Sequence, residues 1–222
     1  MKKIILSFYI SFAYGSLIAP EDGSVLNHTH ILFEWEQVPG ALSYDLQISE
    51  DINFSSIVSE VTDFSLAYIE KNYLNWGTTY YWRIRANFSN HSSDWLTPSL
   101  FTTSEALSSS SIDYIEPSQY QEGVTVFGAF FNYFSAAIDH TGKEIWNSGV
   151  NNFVYYSSNT DGNVFGCSLL SGAENNLPGM EFSFQNEIIW EEPNDEFLHH
   201  DIIKLPNGNY LGIVEINSLG PI

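Results

Sequence analysis

The chain has 222 residues, an aromatic share of 16% and a formal net charge of −20 at pH 7. This length suffices for one large or two ordinary domains, each with a buried core. The many aromatic residues and the scarcity of helix signals favour an all-β fold. A surface this acidic repels nucleic acid and anionic lipid, so we expect no nucleic-acid partner.

Residues Met1 to Gly15 have the pattern of a secretory signal peptide. Two lysines precede an apolar run from Ile4 to Tyr14, and Ala13 and Gly15 are small residues at the spacing that signal peptidase reads. The run is too short to span a bilayer, so we expect no membrane insertion and a secreted or periplasmic protein. Without the signal, 27 acidic residues against five remaining cations give a formal charge of −22.

Residues 17–104 predict an antiparallel β-sandwich. Turn signals such as Pro39-Gly40 and Asn75-Trp76-Gly77 separate short segments that alternate between apolar and polar residues. In the segment 79–86, Tyr80, Trp82 and Ile84 would share a core face, while the residues between them face solvent.

This region resembles fibronectin type III modules over nearly its whole length. The matching motifs are the Trp35 strand, the Val38-Pro39-Gly40-Ala41 turn leading to Tyr44, the Leu74-x-x-Gly77-x-x-Tyr80 corner, the Trp82-Arg83-Ile84-Arg85-Ala86 strand and Asp94-Trp95…Phe101-Thr102-Thr103. The resemblance implies a spacer or adhesive unit, with Trp35, Trp82 and Trp95 in the core rather than on a ligand platform.

A serine-rich segment, 105–111, is predicted to link this domain to a repetitive region, 112–222. The segment Ala137–Trp146 is echoed by Glu181–Trp190, 44 residues later, and the Asp161-Gly162-Asn163 turn by Asn207-Gly208-Asn209, 46 residues later. A period near 45 made of short strands is typical of β-propellers with one four-stranded blade per repeat. The remaining length holds about two blades, too few to close, so we expect an incomplete β-propeller.

The candidate site is His199-His200-Asp201, just ahead of an apolar run and a turn. Aligned on the two tryptophans, the histidines take the place of Tyr155-Tyr156, so groups that titrate near neutral pH replace packing rings. In a regular strand His199 and Asp201 would share one face and His200 the other. A buried histidine that merely hydrogen-bonds Asp201 is the alternative. Three ligands cannot converge from one strand, and a lone Cys167 supports neither a disulfide nor a cysteine zinc site, so no metal is expected.

Trp190 followed by HHDIIKLPNGNYL, after the first copy of the repeat, resembles bacterial arylsulfate sulfotransferases, also called aryl sulfotransferases. These are exported six-bladed propellers. The resemblance implies transfer of a sulfuryl group from a phenolic sulfate to a phenol through a sulfohistidine, with no cofactor. It matches His200 to a channel-facing donor to the sulfate or leaving oxygen, with His199 the weaker candidate and Asp201 in an orienting role. The family's nucleophile lies in a later blade.

The cations that would clamp a sulfate are scarce in the repeat region. Arg83 and Arg85, the only arginines, lie in the first domain, and the repeats offer only Lys143 and Lys204. We therefore predict that the chain as given is inactive, with a small phenolic sulfate and a phenol as partners of a longer protein. The competing interpretation is a secreted surface or adhesion protein whose domains only bind. The sequence leaves the oligomeric state open.

Overall fold

The computed structural model describes residues 15–114, 116, 118–119, 121–130, 132–168, 178–193 and 198–214, with the backbone alone for 198–200 and 214. The predicted signal peptide, apart from Gly15, lies outside the described residues. Every regular element of the described part is a β-strand, which confirms the predicted all-β class. No helix there could cross a membrane.

Two compact units make up the chain. The first comprises the described residues up to 24 together with 31–73 and 79–101, and the second comprises 25–30, 74–78 and the described residues from 102 onward. The domain limits predicted from the sequence, 17–104 and 112–222, stay predictions.

In the described part of the chain, eight strands precede the serine-rich segment. They are β1 (Leu17–Ala19), β2 (Ser24–Leu26), β3 (Ile31–Trp35), β4 (Ser43–Ser49), β5 (Ile57–Asp63), β6 (Ala67–Glu70), β7 (Thr79–Asn87) and β8 (Ser99–Thr103). They form a three-stranded sheet in the order β1-β3-β6 and a five-stranded sheet in the order β2-β8-β7-β4-β5. The two sheets make the predicted sandwich.

Aromatic rings fill the space between these two sheets. Phe33 of β3 meets Trp82 of β7 edge-on, with ring centroids 5.1 Å apart, and Phe101 of β8 at 5.7 Å. Tyr80, Trp82 and Ile84 are all buried, which confirms the face predicted from the alternation of β7. T-shaped ring pairs add to the stabilisation that comes from burying this apolar area.

Nine strands follow the serine-rich segment among the residues that the structure describes. They are β9 (Thr125–Ala129), β10 (Phe134–Ile138), β11 (Glu144–Asn147), β12 (Phe153–Ser158), β13 (Val164–Ser168), β14 (Gly179–Phe182), β15 (Ile188–Glu191), β16 (Leu198–Lys204) and β17 (Tyr210–Val214). Neighbouring strands pair antiparallel in three sheets: β9 to β11, β12 to β15, and β16 with β17. The middle sheet is a complete four-stranded meander.

One five-residue turn recurs four times in these sheets, at residues 139–143, 159–163, 183–187 and 205–209. In each, the first N–H donates to the fifth carbonyl and the fourth N–H donates to the first carbonyl. The fourth residue, Gly142, Gly162, Asn186 or Gly208, has a positive φ of 65–84°, a conformation that glycine and asparagine tolerate best. The same turn therefore occurs twice in each of the two copies of the repeat predicted from the sequence.

Side chains brace three of these turns in the same way. The oxygen at the first position, on Asp139, Asn159 or Ser183, accepts the N–H groups of the third and fifth residues at 2.8–3.2 Å. Leu205 has no such oxygen, and Asn207 accepts the fifth N–H instead, at 3.0 Å. Such local side-chain bonds favour turns over strand continuation.

The serine-rich segment is hydrogen-bonded along its length. Leu107 and Ser108 donate their N–H groups to the buried carboxylate of Glu144 at 3.0 and 2.6 Å, and the Ser110 hydroxyl donates to the Gly142 carbonyl at 2.8 Å. The second unit therefore holds these residues in place on β11 and on the turn before it.

Candidate functional site

The predicted histidines lie where a strand pair loses its register. In β16, Leu198 is opposite Val214 and Ile202 is opposite Gly212, so three residues of β16 stand against one of β17. His199, His200 and Asp201 are those three. Such bulges re-aim side chains and occur often beside active sites.

The tyrosine pair lies in the matching strand of the preceding hairpin, at a different ladder position. Tyr155 is paired with Gly166. The counterpart of Gly166 in the second copy is Gly212, 46 positions later, and Gly212 is paired with Ile202. The predicted one-to-one match of the tyrosines with the histidines is therefore wrong. Its physical reason is register: β12 has one unmatched residue, Tyr156, whereas β16 has two residues more than β17 between Leu198 and Ile202.

The described side chains from the end of the bulge onward, Asp201 to Ile203, alternate in exposure. Asp201 is exposed, Ile202 is fully buried and Ile203 is 47% exposed. Because the bulge interrupts the alternation, the faces predicted for His199 and His200 stay predictions, as do their roles. Asp201 lines a shallow depression of about 290 Å³ together with Ile203, Leu211, Gly212 and Ile213.

A buried carboxylate next to this hairpin was not predicted. Glu181 of β14 is fully buried and accepts hydrogen bonds from Lys204 Nζ at 2.9 Å, Asn163 Nδ2 at 2.5 Å and the Tyr210 hydroxyl. Tyr210 also stacks on Trp190, with ring centroids 3.8 Å apart and planes 11° from parallel. These contacts join the sheet β12 to β15 with the hairpin β16–β17.

The electrostatics of this cluster favour its charged form. Burial raises the pKa of Glu181, but the hydrogen bonds from Tyr210, Lys204 and Asn163 outweigh it, so the pKa lies below its ordinary value. The bond to Glu181 raises the pKa of Lys204. Burial and the same carboxylate raise the pKa of Tyr210. At neutral pH Glu181 is therefore ionised, Lys204 is charged and Tyr210 keeps its proton.

Both lysines of the repeats have partners within the second unit. Lys204 is bonded to Glu181, and Lys143 Nζ donates to the Leu74 carbonyl at 3.0 Å. An anion bound by either lysine would compete with these contacts. The contacts are thus consistent with the scarcity of clamp residues noted from the sequence.

The arginines of the sandwich also have partners. Arg85 pairs with Asp45 at 2.8 Å, and Arg83 bonds Gln47 Oε1 at 2.7 Å. Both guanidinium carbons lie over the Trp95 ring, 4.5 and 4.6 Å from its centroid. Trp35 and Trp82 are buried as predicted, but Trp95 is only half-buried because it covers these two cations.

No cluster of three His, Cys, Asp or Glu side chains that could hold a metal occurs among the described residues. Cys167 of β13 is fully buried, and burial raises the pKa of its thiol to about 11. A thiol in that environment is a poor nucleophile at neutral pH.

No protein-family model and no curated protein matches the chain. One similar solved structure is an Fn3-like protein from Clostridium thermocellum, at 19% identity over 38% of this chain and 90% of that one, with a TM-score of 0.32. Another is the FN1–FN3 domains of chicken CNTN1, at 9% identity over 74% of this chain and 55% of that one, also with a TM-score of 0.32. The fibronectin-like assignment accordingly rests on the motifs and strand order given above.

Proposed function

We propose that this chain is the N-terminal portion of an exported arylsulfotransferase-like protein whose β-propeller begins in the second unit. The observation that carries the proposal is the series of sheets: a four-stranded meander, β12 to β15, stands between a three-stranded sheet and a hairpin. Propellers are built from four-stranded blades around a central channel. A chain that opens a propeller would have this series of complete and partial blades.

On this proposal β12 and β16 are the first strands of successive blades and border the channel. His200 then donates a hydrogen bond to a sulfate oxygen or to the leaving phenolate, Asp201 orients the imidazole, and His199 is the weaker candidate for the donor. A histidine nitrogen from a later blade attacks sulfur as the donor S–O bond breaks. The S–N bond breaks in turn as the acceptor phenol oxygen binds sulfur.

The chain as given would lack both the nucleophile and the anion clamp. The absence of an anion clamp from this piece is supported by the hydrogen bonds of Lys204 to Glu181 and of Lys143 to the Leu74 carbonyl, which occupy both lysines. The chemistry requires no cofactor. Its substrates are small phenolic sulfates and phenols, met outside the cytoplasm after export.

The test is sulfuryl transfer from 4-nitrophenyl sulfate to phenol by the full-length parent, followed as release of 4-nitrophenol. His200→Ala should lower kcat by about a hundredfold, the usual worth of one oxyanion donor. His140→Ala, which removes an exposed imidazole from a turn of the same unit, is the matched control and should leave the rate unchanged. An active parent with an unchanged rate in His200→Ala removes that residue from the mechanism.

A surface or adhesion protein is the second candidate. It is favoured by the engagement of the lysines and by the fibronectin-like sandwich, a module that serves binding and spacing in many secreted proteins. A parent that folds but transfers no sulfuryl group would support this candidate over the enzyme.

A further inference from the structure

Four asparagines of the chain begin the pattern Asn-x-Ser/Thr, which accepts asparagine-linked glycans in exported proteins. They are Asn27, Asn53, Asn87 and Asn90. Asn53 alone has an acidic residue two positions before it, Asp51. At the same distance before the other three stand Val25, Arg85 and Phe88. Bacterial transferases that attach such glycans select an acidic residue at that position, so the sequence separates Asn53 from the other three asparagines.

Side-chain contacts also set Asn53 apart from two of the others. In the described part of the chain, no hydrogen bond involves the exposed Asn53 side chain, whose backbone N–H alone is bonded. The Asn87 amide donates to Asp45 at 2.7 Å. Asn27 Nδ2 packs against Gly149, 2.8 Å from where a Cβ would stand. A glycan on either of these nitrogens would disturb a contact of the fold, whereas a glycan on Asn53 would not.

The loop between β4 and β5 turns the Asn53 side chain to solvent. The N–H of Phe54 donates to the Asp51 carbonyl at 3.0 Å, and Phe54 has a φ of +56°. Its ring is 7% exposed and lies beneath the Arg83 guanidinium, with 3.7 Å between the ring centroid and Cζ. Asn53 and Ser55, on either side of it, are exposed. Because the middle residue of the pattern is anchored, its two polar residues face solvent.

The Asp51 carboxylate closes this loop once the chain has folded. It accepts the N–H groups of Asn53, Ser55 and Ser56 at 2.9, 3.0 and 2.7 Å, and the Ser55 hydroxyl at 2.8 Å. A transferase that recognises Asp51 and Ser55 must reach both side chains, and these bonds engage them. Transfer therefore precedes closure of the loop. The bonds can form afterwards, because none of them uses the Asn53 side chain.

We propose that Asn53 is the attachment site of an asparagine-linked oligosaccharide in the exported protein. The donor is an oligosaccharide carried on polyprenyl pyrophosphate. The bond between the sugar C1 and a pyrophosphate oxygen breaks, a bond between C1 and Asn53 Nδ2 forms, the amide releases a proton and polyprenyl pyrophosphate leaves. The proposal rests on the predicted export of the chain, which both candidate functions share, and it does not depend on sulfuryl transfer.

The test is export of the full-length parent into the periplasm of bacterial cells that carry such a transferase and its lipid-linked donor. An established acceptor protein in the same cells is the positive control. Mass spectrometry should find the glycan on the peptide that contains Asn53. Asn53→Gln should abolish the modification, and so should Asp51→Ala. Asn90→Gln alters a pattern that is exposed but lacks the acidic residue, and it should leave the glycan in place.

Two results of this experiment overturn the proposal. One is an exported parent that stays unmodified while the control acceptor is modified. The other is a glycan on Asn27, Asn87 or Asn90 in place of Asn53. A parent that has the glycan on Asn53 but transfers no sulfuryl group supports this proposal and removes the proposed enzymatic function, so the two failures are distinguishable.

Hydrogen exchange tests whether the fold accommodates the glycan. Peptides that cover β4 and β5 should exchange at the same rate, within about twofold, in the glycosylated parent and in Asn53→Gln, because the Asn53 side chain supports no contact of the loop. Exchange about tenfold faster in the glycosylated protein would show that the glycan disturbs the loop, and it would overturn the proposal.

Discussion

Replacing Glu181 with glutamine tests the contacts that join the meander to the last hairpin. Glu181 is fully buried and accepts three side-chain donors, from Lys204, Asn163 and Tyr210. Hydrogen bonds to a charged group contribute about 1.5–3 kcal/mol each, roughly twice a neutral bond. A neutral amide keeps the two neutral donors at about half strength, and Lys204, whose side chain is 34% exposed, can turn to water. We therefore expect Glu181→Gln to cost about 2 kcal/mol.

Hydrogen exchange measured by mass spectrometry localises this loss. Peptides covering 178–193 and 198–214 should exchange about 30-fold faster in Glu181→Gln, since 1.4 kcal/mol corresponds to a factor of ten. Glu187→Gln makes the same change at an exposed turn position and should alter exchange by less than about 0.5 kcal/mol. Equal exchange rates in the two variants would refute the reasoning, because they would show that the buried cluster stabilises nothing.

Two further predictions concern pH and turn geometry. The pKa of Glu181 is lowered in the folded protein, so the stabilisation from its carboxylate is fully present above the ordinary pKa of 4.5 and is lost as pH falls through the lowered pKa. The pKa values of Tyr210 and Lys204 are raised in the folded protein. The stabilisation from these two groups is therefore fully present below their ordinary pKa values of 10.0 and 10.5 and is lost as pH rises through the raised ones. The urea midpoint should fall at both extremes, and less steeply at alkaline pH in Tyr210→Phe; an unchanged alkaline limb would count against the cluster. Gly162 has a φ of +82° and open space where a Cβ would stand, so Gly162→Ala should cost about 1 kcal/mol in urea unfolding from backbone strain alone. Gly123→Ala, with equal space and a φ outside the left-handed region, should cost less, and equal losses would contradict this account.

The sequence predicted those features that depend on near neighbours. Alternation identified the core face of β7 at Tyr80, Trp82 and Ile84, and the Asp-Gly and Asn-Gly pairs identified two of the four recurring turns. The turn at 183–187 has Asn186 at the left-handed position, and the only sequence signal for this turn was the similarity of residues 181–190 to residues 137–146. Glycine is the stronger sequence signal for that conformation, although asparagine also adopts it.

Features that depend on distant partners were beyond the sequence. Glu181 and Lys204 are 23 positions apart on different sheets, and nothing in the local pattern of either indicates the bond. Trp95 has the composition of a core residue, yet its ring covers Arg83 and Arg85 because β7 presents both on its polar face. The bulge in β16 was not predicted either, since an offset counted from a tryptophan cannot reveal two extra residues in the strand that follows.

The central claim is that the hairpins β12–β13 and β16–β17 are copies of one unit, in which Phe165 is buried and Leu211, its counterpart 46 positions later, is exposed. Phe165→Ala and Leu211→Ala, at matching repeat positions, test it most directly by urea unfolding and hydrogen exchange of the second unit. Phe165→Ala should lose about 3–5 kcal/mol because it empties a packed position, and Leu211→Ala less than about 0.5 kcal/mol. Comparable losses at the two positions would contradict the account, because they would show that Leu211 is already part of a core.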